Sequence, residues 1–161
     1  MEKRIGIITG ANSGIGFASV GQIADENFHV IMACRNREKG SVALQKILKE
    51  NPSRSVELMI VDMSSLESIR EFVKQVKTKY RVVDLLIHNA ASFDISQKEP
   101  KKSVDGLESL WATNHIGPVL LTELLLDQLK ASHEGRIITI ASKGLLVKPL
   151  LKIRLEDPEF K

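Results

Sequence analysis

A chain of 161 residues with 43% hydrophobic and 27% charged residues is one ordinary globular domain, long enough to bury a core. Lys and Arg number 23 against 20 Asp and Glu, and the basic residues are scattered through Lys39, Lys46, Lys49, Lys74, Lys77 and Lys79. That pattern marks solvated helix faces and argues against a nucleic-acid partner.

The single cysteine, Cys34, excludes an internal disulfide and suits a reducing compartment; it reads as a small buried apolar residue at a strand end. Met1-Glu2-Lys3-Arg4 runs directly into apolar sequence, leaving no room for a signal peptide. The stretch from Val119 to Leu126 is broken by Thr122 and Glu123 and falls far short of the ~20 apolar residues that cross a bilayer. The expectation is a soluble, cytoplasmic protein with no membrane span. His29, His88, His115 and His133 show no metal-ligand spacing.

Ile5 to Ile8 reads as the first strand. It leads into Thr9-Gly10-Ala11-Asn12-Ser13-Gly14-Ile15-Gly16 and then into helical spacing. A helix starting here presents unpaired N–H groups and its positive dipole end, and the glycines let a pyrophosphate approach without meeting a Cβ. The glycines are spaced G-x-x-x-G-x-G, wider than G-x-G-x-x-G, and no G-K-[ST] follows to make a P-loop. A turn that merely reverses the chain is the competing reading, and the order strand, glycines, helix favours the phosphate cradle.

Asn12 or Ser13 is expected to cap a helix to about Glu26 that buries Ile15, Ala18 and Ile23. Phe28 to Ala33 is a second strand, apolar without alternation and so covered on both faces. Asn36 caps the next helix, with Leu44, Ile47 and Leu48 on one side, until Asn51-Pro52 stops it. Val56 to Val61 is the third strand. Ser64-Ser65-Leu66-Glu67 has the capping-box form, and Ile69, Phe72, Val73 and Val76 mark one face of a helix to about Lys79. A fourth strand runs from Val82 to about Ile87, a surface loop from Ala91 to Lys102, and a helix from Val104 to about Leu129 bent at Gly117-Pro118. Arg136 to Ala141 is the fifth strand. These elements predict an α/β, Rossmann-type, doubly wound parallel sheet of order 3-2-1-4-5, with ligands at the carboxyl ends of the strands.

The motifs at those ends carry a resemblance. Thr9-Gly10 with Gly14-Ile15-Gly16 resembles the cofactor turn of the short-chain dehydrogenase/reductase family. Asp62-Met63 resembles the family's adenine contact, in which the carboxylate accepts from the exocyclic amine. His88-Asn89-Ala90-Ala91 is similar to the family's Asn-Asn-Ala-Gly, matching at Asn89 and Ala90 and departing at His88 and Ala91. Asn114, in Asn-His-Ile-Gly-Pro, resembles the catalytic Asn that holds a water of the proton relay. Ser142, after Arg-Ile-Ile-Thr-Ile-Ala, resembles the Ser that hydrogen-bonds the substrate oxygen. With Ala33-Cys34-Arg35-Asn36, the run looks most like the retinol-dehydrogenase-like branch.

The resemblance implies an oxidoreductase that interconverts a small-molecule carbonyl and alcohol, with Asn114 and Ser142 catalytic. The cofactor-binding set it implies is Thr9, Gly10, Asn12, Ser13, Gly14, Ile15, Gly16, Arg35, Asn36, Asp62, Met63, Asn89 and Ala90. Strand 2 ends without a carboxylate, and a guanidinium can grip a 2′-phosphate through paired, charge-assisted hydrogen bonds. Arg35 therefore favours NADP(H) over NAD(H), against the plainer reading of a surface Arg before a helix cap.

The family's Tyr-x-x-x-Lys pair has no counterpart, since the only tyrosine is Tyr80, read as a helix-end packing residue. The chain thus reads as truncated before that pair, its Glu156 to Phe160 being similar to the acidic and aromatic stretch that precedes it. A catalytically inactive nucleotide-binding module is the competing function. Strand 5 is expected to be an exposed apolar edge, making the chain marginally stable and prone to self-association.

Overall fold

The computed structural model describes residues 3–93 and 99–142. Five strands, β1 (Arg4–Thr9), β2 (Phe28–Cys34), β3 (Ser55–Ile60), β4 (Leu85–His88) and β5 (Arg136–Thr139), form one parallel sheet of order β3-β2-β1-β4-β5. The helices are α1 (Gly14–Asp25), α2 (Arg37–Glu50), α3 (Leu66–Lys79), α4 (Ser109–Trp111) and α5 (Gly117–Lys130), with a π-helical turn (Ala112–Ile116) joining the last two.

Because successive strand residues point to opposite faces, the sheet feeds two cores. Ile7, Ile31, Met59 and Leu86 pack with Ile69, Phe72, Val73 and Val76 of α3 and with Leu121, Leu125 and Leu129 of α5. Ile8, Val30, Met32, Cys34, Leu85 and Ile87 pack on the other face with Val20 and Ala24 of α1 and Ala43 and Ile47 of α2. This double coverage is why β2 is apolar at every position but His29. The fold is the expected doubly wound one, and the reversal of strand order beside β1 opens a crevice at the carboxyl ends of β1, β2 and β4.

Several local expectations are corrected. In α1 the buried residues are Gly16, Val20, Gly21 and Ala24, whereas Ile15 is 61% exposed and Ala18 is exposed as well. The helix lies so close to its neighbours that small residues form its inner face. Ser65, one residue later than the expected capping box, caps α3 by accepting from the Ser68 N–H. Ser64 instead turns back to Asp62. β4 begins at Leu85, because Val82 to Asp84 serve as a connection in which the Val83 N–H bonds the Gln128 carbonyl. The long helix begins at Ser109 and not at Val104, which is 84% exposed beside a tight turn at Ser103 to Gly106.

β5 occupies the sheet edge and is exposed along its length. The middle of the loop expected over Ala91 to Lys102, and the tail beyond Ser142 with its Glu156 to Phe160 stretch, lie outside the described residues.

Phe72 is 1% exposed at the centre of the α3 core. Phe72→Ala is expected to lower stability by about 3–5 kcal/mol, measured by chemical denaturation; a loss below about 1 kcal/mol would contradict this packing.

Candidate functional site

The turn after β1 is built by close contacts that only glycine permits. Gly10 has φ +65°, and a Cβ on it would stand 2.9 Å from Ala90 Cα. A Cβ on Gly16 would overlap Asn89 Nδ2 and lie 2.7 Å from the Gly10 carbonyl oxygen. Asn89 fills that space. Its Nδ2 donates to the Thr9 carbonyl at 2.9 Å and to the Gly10 carbonyl at 3.3 Å. Thr9, 1% exposed, accepts at Oγ1 from the Asn89 and Ala90 N–H groups, both at 3.0 Å, and donates to the Ile87 carbonyl. The Gly10 N–H reaches across to the Ala33 carbonyl at 2.8 Å. Thr9, Gly16 and Asn89 thus bind β1, β4 and α1 into one frame.

α1 starts differently from α2 and α3. Asn36 Oδ1 caps α2 at 2.9 Å and Ser65 caps α3, and each of these helices carries a Glu in its first turn. Ser13 stands at the N-cap of α1 in extended conformation without a side-chain cap bond, and no acidic residue lies in the first turn. An uncapped, acid-free helix start facing a crevice suits an anion.

The crevice is a cleft of about 500 Å³ whose lining includes Gly10, Asn12, Ser13, Arg35, Asp62 and Ala90. Asn36, Met63 and Asn89 also line it, whereas Thr9, Gly14, Ile15, Gly16, Asn114 and Ser142 do not. On its far rim stand Arg35 and Lys39, neither in an ion pair among the described residues. Lys39 escaped the sequence reading because it looks like one more lysine of a solvated helix; only its place in the lining of this cleft distinguishes it. Asp62 is held by Ser64, whose N–H and Oγ both donate to Oδ1 at 2.9 and 2.7 Å. Oδ2 has no partner among the described residues. Ala91 does not take a positive φ, so this position accommodates Ala without strain.

Asn114 lies in the π-helical turn, a helical irregularity frequent at functional sites. Its side chain is occupied: Oδ1 accepts from the Ser92 N–H at 2.7 Å and Nδ2 donates to the Ser92 carbonyl at 2.8 Å. The amide therefore pins the segment after β4 that lines the cleft. Four residues on from Asn114 stands Pro118, which has no N–H, so the Asn114 carbonyl lacks its usual helical donor. Ser142 lies just past the end of β5, where the Ile140 N–H bonds the His88 carbonyl.

Among the described residues, the other titratable groups do not line the cleft. Burial pushes the Cys34 thiol up to about 11, keeping it protonated and inert. His88 is 6% exposed. Its Nε2 pairs with Thr122 Oγ1 of α5 at 2.8 Å, Nδ1 has no partner, and burial lowers its pKa. Tyr80 is no mere packing residue; it lies at the opposite end of the sheet, with its hydroxyl bonded to Glu57 and His29. No group of three or more His, Cys, Asp or Glu among the described residues could hold a metal ion. None of the helices among those residues is long and apolar enough to cross a membrane.

With this geometry in hand, comparisons identify relatives. A family profile described as short chain dehydrogenase matches residues 4–150. The WW domain-containing oxidoreductase of Gallus gallus is 40% identical over 144 residues, covering 89% of this chain and 34% of that protein. Retinol dehydrogenase 13 of Mus musculus is 41% identical over 136 residues, covering 84% of this chain and 40% of that one. Among solved structures, a metagenomic short-chain oxidoreductase in complex with NADP matches with TM-score 0.74 and 25% identity, covering 86% of this chain and 62% of that one. The chain thus spans well under half the length of these two curated relatives.

The buried imidazole makes stability depend on pH. As pH falls through the unfolded value near 6.5, the unfolded chain takes up a proton that folded His88 resists, so stability present above that pH is lost below it. Denaturation midpoints are expected to fall between about pH 7 and about pH 5, with a smaller fall in His88→Gln. Equal falls in both proteins would contradict the burial of a neutral imidazole.

Proposed function

The chain belongs to the short-chain dehydrogenase/reductase family, and from that premise we propose that it holds NADP(H) for the interconversion of a small-molecule carbonyl and alcohol. The observation that carries the reading is the pair Arg35 and Lys39 on the rim of the cleft, at the end of a strand that bears no carboxylate. The fit of the nucleotide rests on the Gly10 and Gly16 contacts, which leave a cradle that a Cβ would fill. The leading N–H groups of α1 bind the pyrophosphate, and Arg35 with Lys39 binds the 2′-phosphate through charge-assisted hydrogen bonds. Asp62 Oδ2 and the Met63 backbone face the adenine, while Asn89 and Ala90 form the floor. NADP(H), when bound, supplies or accepts the hydride.

On the substrate side, the Ser142 hydroxyl orients the reacting oxygen and the Asn114 carbonyl holds a water. Proton transfer to or from an alcohol requires a general acid or base, whose loss costs about 10²- to 10⁴-fold. Tyr80 cannot serve, because burial and Glu57 push its phenol well above the usual range and it sits at the far end of the sheet. The family's Tyr-x-x-x-Lys does not occur in these residues. A second reading follows from that observation: taken alone, this polypeptide binds the nucleotide without turning substrate over.

Parallel titrations with NADPH and NADH, followed by nicotinamide fluorescence, test the nucleotide reading. NADPH is expected to bind about 10-fold or more tightly than NADH, Lys39→Ala to weaken NADPH about 10-fold, and Arg35→Asp to reverse the preference. No signal at millimolar cofactor would refute nucleotide binding, and equal affinities would refute the role of Arg35 and Lys39.

A further inference from the structure

At the opposite end of the sheet, beside the amino ends of the strands, lies a larger cleft of about 760 Å³ whose lining includes Lys3, His29, Ser55, Tyr80 and Arg81. Behind its wall runs a chain of hydrogen bonds. Tyr80 donates its hydroxyl proton to Glu57 Oε1 at 2.6 Å, and Lys79 Nζ donates to Glu57 Oε2 at 2.7 Å. With its proton committed to Glu57, the Tyr80 oxygen accepts from His29 Nε2 at 3.0 Å. Nε2 also lies 3.5 Å from Glu57 Oε1. In the neutral imidazole this network assigns the proton to Nε2 and leaves Nδ1 as an acceptor, 2.7 Å from Ser55 Oγ. The Ser55 hydroxyl therefore heads a relay directed toward an anchored carboxylate, with a base in contact and that base oriented by a third group.

The charges around it favour an electron-rich reaction partner. Lys3 and Arg81 line the cleft without an ion pair among the described residues. The lining carboxylate of Asp84 is taken up by the Ile5 N–H and the Ser132 hydroxyl, both at 2.7 Å. Ser55 stands on β3, the edge strand of the sheet, where a small molecule reaches it from solvent.

We propose that Ser55 is a nucleophile, with His29 as its base, that accepts the acyl group of small carboxylic esters. Ser55 Oγ bonds to the ester carbonyl carbon while its proton passes to His29 Nδ1. The carbon–oxygen bond to the leaving group then breaks, and the leaving alkoxide takes the proton from His29. The products are an acyl-Ser55 ester and a free alcohol. This site is independent of the nucleotide cleft.

The test exposes the full chain to para-nitrophenyl acetate at neutral pH and maps the acetyl group by peptide mass spectrometry. One acetyl group is expected on Ser55, absent in Ser55→Ala, with labelling about 10²-fold slower in His29→Gln. Acetylation of lysines alone, or an unchanged Ser55 rate in His29→Gln, would overturn the proposal. If His29→Gln loses its thermal transition, Tyr80→Phe decides, since it keeps the ring and removes only the hydroxyl that joins His29 Nε2 to Glu57. Labelling of the folded Tyr80→Phe protein is expected to slow roughly tenfold, and an unchanged rate would overturn the relay.

Discussion

The structure depends on one close approach, that of the turn after β1 to the end of β4. Two glycines remove the side chains that would keep these segments apart, and Asn89 fills the vacated space with an amide that bonds the Thr9 and Gly10 carbonyls. Thr9 completes the junction from the other side by accepting two successive N–H groups of the β4 exit. Buried polar groups are costly unless paired, and here each partner satisfies the other. The consequence is that α1 begins against the sheet with its N-cap Ser13 on the crevice and no side chain of its own capping its leading N–H groups.

From that junction the chemistry divides between the two ends of the sheet. The carboxyl ends carry the uncapped start of α1, the Arg35 and Lys39 rim, the oriented carboxylate of Asp62, and the π-helical turn with Asn114. The π turn joins α4 to α5 beside the cleft. Its side-chain amide holds Ser92 at the cleft wall, and the neighbouring Pro118 withholds the i+4 donor that an α-helix would have used. The amino ends carry a separate polar network, in which residues of β2, β3 and the end of α3 meet. A doubly wound sheet exposes both rims, and its connections bring different side chains to each.

Much of the fold was legible in the sequence because burial leaves periodic marks. β2 reads as a strand covered on both faces since every position but His29 is buried, and the inner face of α3 reads directly from Ile69, Phe72, Val73 and Val76. α1 misled because its inner face is made of Gly16, Gly21 and Ala24, and Arg54 packs where a Cβ of Gly21 would stand. Hydrophobic periodicity does not register a face built by the absence of side chains. Gly117-Pro118 signalled an irregular helix, yet the missing N–H is compatible with either a kink or a π turn, and packing decides between them.

The site was legible where motifs are contiguous and hidden where they are not. The glycine turn, Asp62 and Asn89 stand in short runs with recognisable spacing. Lys39 is distinguished from other lysines only by its position beside Arg35 on the cleft. The links that join Ser55, His29, Tyr80 and Glu57 connect residues 23 to 51 positions apart, a separation that no local pattern encodes.

Under the proposed function, the rim of Arg35 and Lys39 recognises a 2′-phosphate on an adenosine held in this cleft. Calorimetric titration with adenosine 2′,5′-bisphosphate and with adenosine 5′-monophosphate isolates that half of the nucleotide from any contribution of the nicotinamide. The bisphosphate is expected to bind about tenfold or more tightly, roughly 1.4 kcal/mol or more, and Arg35→Asp to remove the difference. Equal affinities for the two compounds, or an advantage that survives Arg35→Asp, would contradict it.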